Sequence, residues 1–125
     1  MADDVREELL RLNQRLLDSI ALADWETYQE LCDPSLTAFE PEAAGQLVQG
    51  LEFHHFYFRL GPVREPHLTT MAAAQVRLLD SVAVVTYVRL NQRIGAAGPT
   101  TTATEETRVW HRRDGRWWHV HFHRS

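Results

Sequence analysis

The 125-residue sequence contains no lysine, so each of its 13 basic residues is an arginine. It has one cysteine, few glycines and prolines, and nowhere a run of about 18 apolar residues of the length a membrane-spanning helix needs. Each absence excludes something. Cys32 alone cannot close an intramolecular disulfide, and no Cys-x-x-Cys or His-Glu-x-x-His spacing marks a zinc site. The N-terminal MADDVREELLRLNQ is charged where a secretory signal would be apolar, so a reducing, cytoplasmic setting without membrane insertion is expected. No surplus of positive charge exists either: the net charge is −4 and the pI about 5.9, which argues against a nucleic-acid partner because phosphate contacts need a basic surface. A glycine-rich phosphate loop is missing, and with it any implied nucleotide or cofactor. Without repeats, low-complexity segments or a long linker, residues 1–125 read as one domain, large enough to bury a core unaided.

Two readings of the missing lysine stand side by side. GC-rich codon usage favours arginine and alanine together, whereas forked recognition of anions favours arginine for its geometry. The charge is uneven as well. Acids crowd the first half, while residues 105–125, EETRVWHRRDGRWWHVHFHRS, hold five arginines, four histidines and three tryptophans against three acids.

Val5, Leu9, Leu12, Leu16 and Ile20 recur at helical spacing and predict an amphipathic helix over about 5–22, with Asp4 as its cap and Glu7 completing a capping box. Asp24 predicts the cap of a second, short helix whose inner side carries Trp25, Tyr28 and Leu31 or Cys32, ending at Asp33-Pro34. A short strand and a short helix near 53–58 follow. Strand character then returns over 68–79, 82–94, 102–112 and 117–124. Asp80-Ser81 and Asp114-Gly115 suit tight turns, and GAAGP at 95–99 a longer one. Helices first and a meandering antiparallel sheet afterwards is an α+β plan.

Side chains alternate across a strand, so parity sorts residues onto faces. Val85, Tyr87, Arg89 and Asn91 share one face, Arg108 and Trp110 another, and Trp118, Val120, Phe122 and Arg124 a third. Each row carries one arginine, and Arg89, Arg108 and Arg124 are expected to converge in the mouth of a curved sheet. Buried like charges need acids or a bound anion. Glu40, Glu42, Glu105 and Glu106 are the internal candidates, and a ligand carboxylate is the alternative. The opposite parity carries Val84, Val88, Leu90, Val109 and Trp117, an apolar outer face that calls for a helix or a partner subunit.

Other chemistries fit less well. His119, His121 and His123 alternate along the last strand, but same-face neighbours there stand roughly 6 to 7 Å apart, too far to converge on one metal ion. No serine has a nucleophile-elbow context, and Cys32 falls on a core-facing parity. No catalytic set is therefore assigned. A cavity carboxylate, Glu40 or Glu42, working with His54 would instead make a small isomerase, dehydratase or cyclase.

Four blocks, CDPSLTAFEPEA (32–43), FHHFYF (53–58), YVRLNQ (87–92) and the C-terminal EETRVWHRRDGRWWHVHFHRS, resemble the association, or hub, domain of calcium/calmodulin-dependent protein kinase II, and the likeness runs from about residue 5 to the end. The resemblance implies a cone-shaped α+β fold of the nuclear transport factor 2-like class. It also implies a homo-oligomer of twelve or more subunits in two stacked rings, able to associate with a kinase carrying a related hub. A cavity binding small carboxylates is implied at Arg89, Arg108, Arg124 and His54. Two features depart from the pattern: the 59–68 loop, RLGPVREPHL, is short and lacks tryptophan, and His55 stands where an arginine usually follows the pocket histidine. With no kinase domain or calmodulin-binding segment ahead of Met1, either an excised or engineered hub or a free-standing hub-like protein is expected, and the GC-rich composition leans toward the latter.

Overall fold

The computed structural model describes residues 2–125. Helix α1 (Ala2–Ala21) is followed by the short α2 (Trp25–Leu31), strand β1 (Cys32–Phe39), a 3-10 turn (Pro41–Ala43), the two-residue strand β2 (Val48–Gln49) and helix α3 (Glu52–Phe58). Four long strands complete the chain: β3 (His67–Leu79), β4 (Val82–Gly95), β5 (Gly98–Arg113) and β6 (Arg116–Arg124). All six strands form one sheet in the order β2-β1-β6-β5-β4-β3.

The expected α+β plan holds, with one correction. The sheet is mixed, because β1 pairs parallel to β6 while every other pair is antiparallel. The chain leaves β1, crosses by α3 to the far edge at β3, and walks back through three hairpin connections. Three reversals bring β6 alongside β1 running the same way.

Helix α1 begins before its expected cap: Asp3 and Asp4 lie within its first turn, where carboxylates face the positive end of the helix dipole. Leu9, Leu16, Leu17, Tyr28 and Leu31 of the two helices join Leu36, Ala83, Val85, Trp110 and Phe122 of the sheet in one core. Asn13 is also fully buried in α1; it accepts the indole hydrogen of Trp110 at 3.1 Å and directs its amide at the Met71 sulfur at 3.3 Å. A polar side chain on the apolar side of a helix is tolerated because both of its functions are used. Asp24 caps α2 as expected, accepting from the Thr27 amide.

The 95–99 connection is tighter than expected. Strand β4 runs to Gly95 and β5 starts at Gly98, whose φ of +108° lets the chain reverse over Ala96-Ala97. Ala73, at φ +53°, marks a bulge where the β3–β4 register shifts.

A second bulge corrects the parity read for β6. Trp110 pairs with His119 but Val109 with His121, so Val120 is an extra residue. Trp117 and His119 therefore face the core before the bulge, and Phe122 and Arg124 face it afterwards. Trp117, expected on the outer face, is a core residue instead. Trp118 takes the outer side, with the guanidinium groups of Arg116 and Arg113 over its ring at 3.7 and 5.1 Å. The three histidines are separated likewise: His119 is buried, His121 half-buried and His123 exposed. Among the described residues no group of three or more His, Cys, Asp or Glu is arranged to hold a metal ion. No described helix is long and apolar enough to cross a membrane.

Candidate functional site

The inner face of the curved sheet and the covering helices enclose a cavity of about 300 Å³, and Arg89, Arg108, Arg124 and His54 all line it. Strand alternation explains the convergence. Arg89 follows Tyr87 on the inner row of β4, Arg108 lies between Glu106 and Trp110 on β5, and Arg124 follows Phe122 on β6. His54 enters from α3, and Glu40 and Glu42 from the 3-10 turn.

Arg108 is the most enclosed of the three, its side chain only 1% exposed, and its donors are taken by the protein. Its Nε donates to the Tyr87 hydroxyl at 2.8 Å and to Glu106 at 3.2 Å, and Nη2 donates to Glu106 at 3.0 Å. Nη1 points at His119 Nε2, 3.5 Å away, and the Phe122 ring packs 4.3 Å from the guanidinium carbon. Glu106 receives further donors from Tyr87 at 2.6 Å and Arg89 at 3.3 Å. Burial alone would raise the Glu106 pKa, but the charges of Arg108 and Arg89 and the Tyr87 hydroxyl outweigh it and hold the carboxyl at about 2. Arg108 keeps its proton firmly: burial opposes the charge, and the neighbouring Tyr87 and Glu106 more than restore it.

Because Arg108 can only donate, His119 Nε2 accepts and Nδ1 carries the ring hydrogen, toward the Cys32 sulfur at 3.3 Å. Burial first and the Arg108 charge second push the His119 pKa well below the usual histidine range. Burial likewise lifts the Cys32 thiol to about 12, which makes it a core group and no nucleophile.

The other two arginines are less committed. Arg124 reaches Glu40 at 3.6 Å and also pairs with Glu42. Arg89 makes its one side-chain bond to Glu106, and its Nε is buried without a partner. His54 meets the Glu40 carboxylate through Nε2 at 2.5 Å, which leaves Nδ1 buried and unpartnered. Arg89 and His54 both line the cavity, and each keeps one buried nitrogen without a partner.

Of the four anticipated internal acids, Glu40, Glu42 and Glu106 are the partners, while Glu105 lies on the outer parity and is exposed. Sequence reasoning did not assign roles to Tyr87, which bridges Arg108 and Glu106, or to Arg93 and His67 on the cavity wall. Tyr87 shares its parity with Arg89, and that was the available signal.

On the opposite face, Val84, Val88, Leu90 and Val109 alternate with the buried Ala83, Val85 and Tyr87 and are half-buried. The core helices lie on the other side.

Comparison with known proteins agrees with this architecture. The sequence profile described as the calcium/calmodulin dependent protein kinase II association domain matches residues 5–125. The delta subunit of calcium/calmodulin-dependent protein kinase type II from Oryctolagus cuniculus is 46% identical over 124 residues, covering 96% of this chain but only 23% of that protein. The solved CaMKII hub homology domain of Chlamydomonas reinhardtii superposes with a TM-score of 0.91 at 50% identity, over 97% of both chains. A nuclear transport factor 2-like superfamily protein from Salmonella enterica, 19% identical with a TM-score of 0.78 over 100% of this chain and 92% of that one, shares the fold. The chain therefore has the nuclear transport factor 2-like fold and belongs to the calcium/calmodulin-dependent protein kinase II association domain family.

Proposed function

We propose that this chain is an oligomerisation hub whose copies assemble through the outer sheet face, at Val84, Val88, Leu90 and Val109, into two stacked rings of twelve or more subunits. The observation that carries the reading is a row of aliphatic side chains on a sheet face opposite the core, in a chain of an association-domain family. Burying such a face yields about 25 cal/mol per Å² of apolar surface, less the cost of fixing the partners. The face admits copies of itself and a kinase subunit carrying a related association domain. Native mass spectrometry tests this directly. The unmodified chain is expected as a discrete species of at least twelve subunits and Val88→Asp as smaller ones; a monomeric parent chain, or an unchanged assembly of the variant, would reject the face.

The cavity serves this hub as a site for a small carboxylate. Support comes from Arg89, which lines the cavity and keeps a donor, Nε, without an acceptor. Arg108 braces the wall, since its own donors are engaged. Calorimetry with butyrate is expected to show saturable binding that weakens about tenfold in Arg89→Gln, the value of one lost charge-assisted hydrogen bond. Equal binding by both proteins would refute the assignment.

One observation favours a second reading. The Glu40–His54 pair at the cavity floor has the form of an acid/base dyad with a free nitrogen. Turnover of a small carbonyl or hydroxy acid, lost in His54→Gln, would establish an isomerase- or dehydratase-type enzyme.

A further inference from the structure

The charges of the cavity do not cancel evenly along its length. Arg89 and Arg108 share the buried Glu106, and Arg124 is paired with the buried Glu40 and the exposed Glu42. Three guanidinium groups meet three carboxylates there, so that region is close to neutral before any ligand enters. Arg93 lines the same cavity, and among the described residues no carboxylate stands within ion-pair distance of it. It is the uncompensated cation of the wall.

The sheet register fixes where that charge sits. Odd-numbered residues of β4 face inward, and Arg89, Asn91 and Arg93 lie opposite Met71, Thr69 and His67 of β3. Asn91 is held by the Thr69 hydroxyl at 3.0 Å, which keeps the middle of the row in place. Thr69 is buried, His67 half-buried and Arg93 exposed, so the row climbs from floor to mouth. At about 3.3 Å per residue, four residues place the Arg93 backbone roughly 13 Å beyond that of Arg89. His67 is its cross-strand neighbour, with Nδ1 held by the Glu65 carbonyl at 3.1 Å.

A monocarboxylate seated on the Arg89 guanidinium, which lines the cavity, would leave Arg93 unanswered. We propose that the cavity is built for an extended dicarboxylic acid, with one carboxylate on Arg89 and the second on Arg93 at the mouth, which makes Arg93 the residue that selects diacids over monoacids. The assignment rests on reading the cavity as a carboxylate site and adds the class of acid. An ion pair at an exposed mouth contributes up to about fivefold in affinity, and added salt weakens it.

The test is calorimetric titration of the full chain, in its native assembly, with adipate and pimelate against hexanoate and heptanoate. The diacid of each pair is expected to bind about fivefold tighter than the monoacid, with the advantage shrinking in added salt. In Arg93→Gln the ratio is expected to fall to about one, and in Arg93→Glu to invert. Both variants alter an exposed side chain outside the core, and circular dichroism checks that they fold. Equal affinity for diacid and monoacid in the unmodified chain, or a preference that survives Arg93→Gln, overturns the proposal. Failure of all four acids to bind removes the carboxylate site itself, and the selection with it.

Discussion

The polar groups buried behind the cavity-lining Arg108 set how this protein responds to acid. His119 is neutral in the fold, with its pKa pushed well below 6.5 by burial and by Arg108, whereas in the unfolded chain it takes up a proton near 6.5. The unfolded state therefore binds more protons as the pH drops below that value, and stability is lost as the pH falls. One such group contributes a slope of at most about 1.4 kcal/mol per pH unit. Glu106 acts in a lower window: its stabilisation is complete above an ordinary carboxyl pKa of 4.5 and disappears as the pH falls toward about 2. Urea denaturation between pH 7.5 and 5 should show wild-type stability declining on the acid side and a shallower decline in His119→Gln. Parallel slopes in the two proteins would show that His119 is not the group responsible.

Turns and bulges decide what each strand presents. At the β5–β6 hairpin, Asp114 and Gly115 both adopt positive φ, +52° and +78°, the conformation of the two central residues in a tight hairpin turn. A Cβ on Gly115 would meet nothing within 4 Å, so Gly115→Ala carries only the conformational cost, about 1 kcal/mol. A correspondingly small fall in the urea midpoint is expected, with the same slope; a loss of several kcal/mol would mean the turn is constrained in some further way. This turn was legible as Asp-Gly, as were the Asp24 cap and the arginine rows of β4 and β5. What the sequence did not disclose was the Val120 bulge, because an inserted residue in a ladder leaves no mark in an apolar and aromatic run such as WWHVHF. One unpaired residue moved Trp117 inward and divided the histidines, while Phe122 and Arg124 kept the face expected of them. The parallel β1–β6 pairing was hidden for a related reason: it depends on the number of reversals between distant segments, and no local pattern encodes that.

On the scale of the whole molecule, the two faces of the sheet carry different titrations. The inner face holds the arginine–glutamate ion pairs, and the outer face holds His111, His121 and His123 among its valines. His121 is bonded to the Thr37 hydroxyl at 2.7 Å and lies against the Phe39 ring, and burial followed by the nearby His123 lowers its pKa. Glu105, also on this face, is exposed and near the strand end. If copies assemble through this surface, association removes more water from His121 and holds it neutral more strongly than in a separate subunit. The separate subunit then binds the additional proton, so acid drives the equilibrium toward smaller species. Light scattering is expected to report a lower mass at pH 5.5 than at 7.5, with tryptophan fluorescence still that of the folded chain, and His121→Gln should resist the change. A mass that is constant across this range while the chain stays folded would place the assembly contacts away from His121.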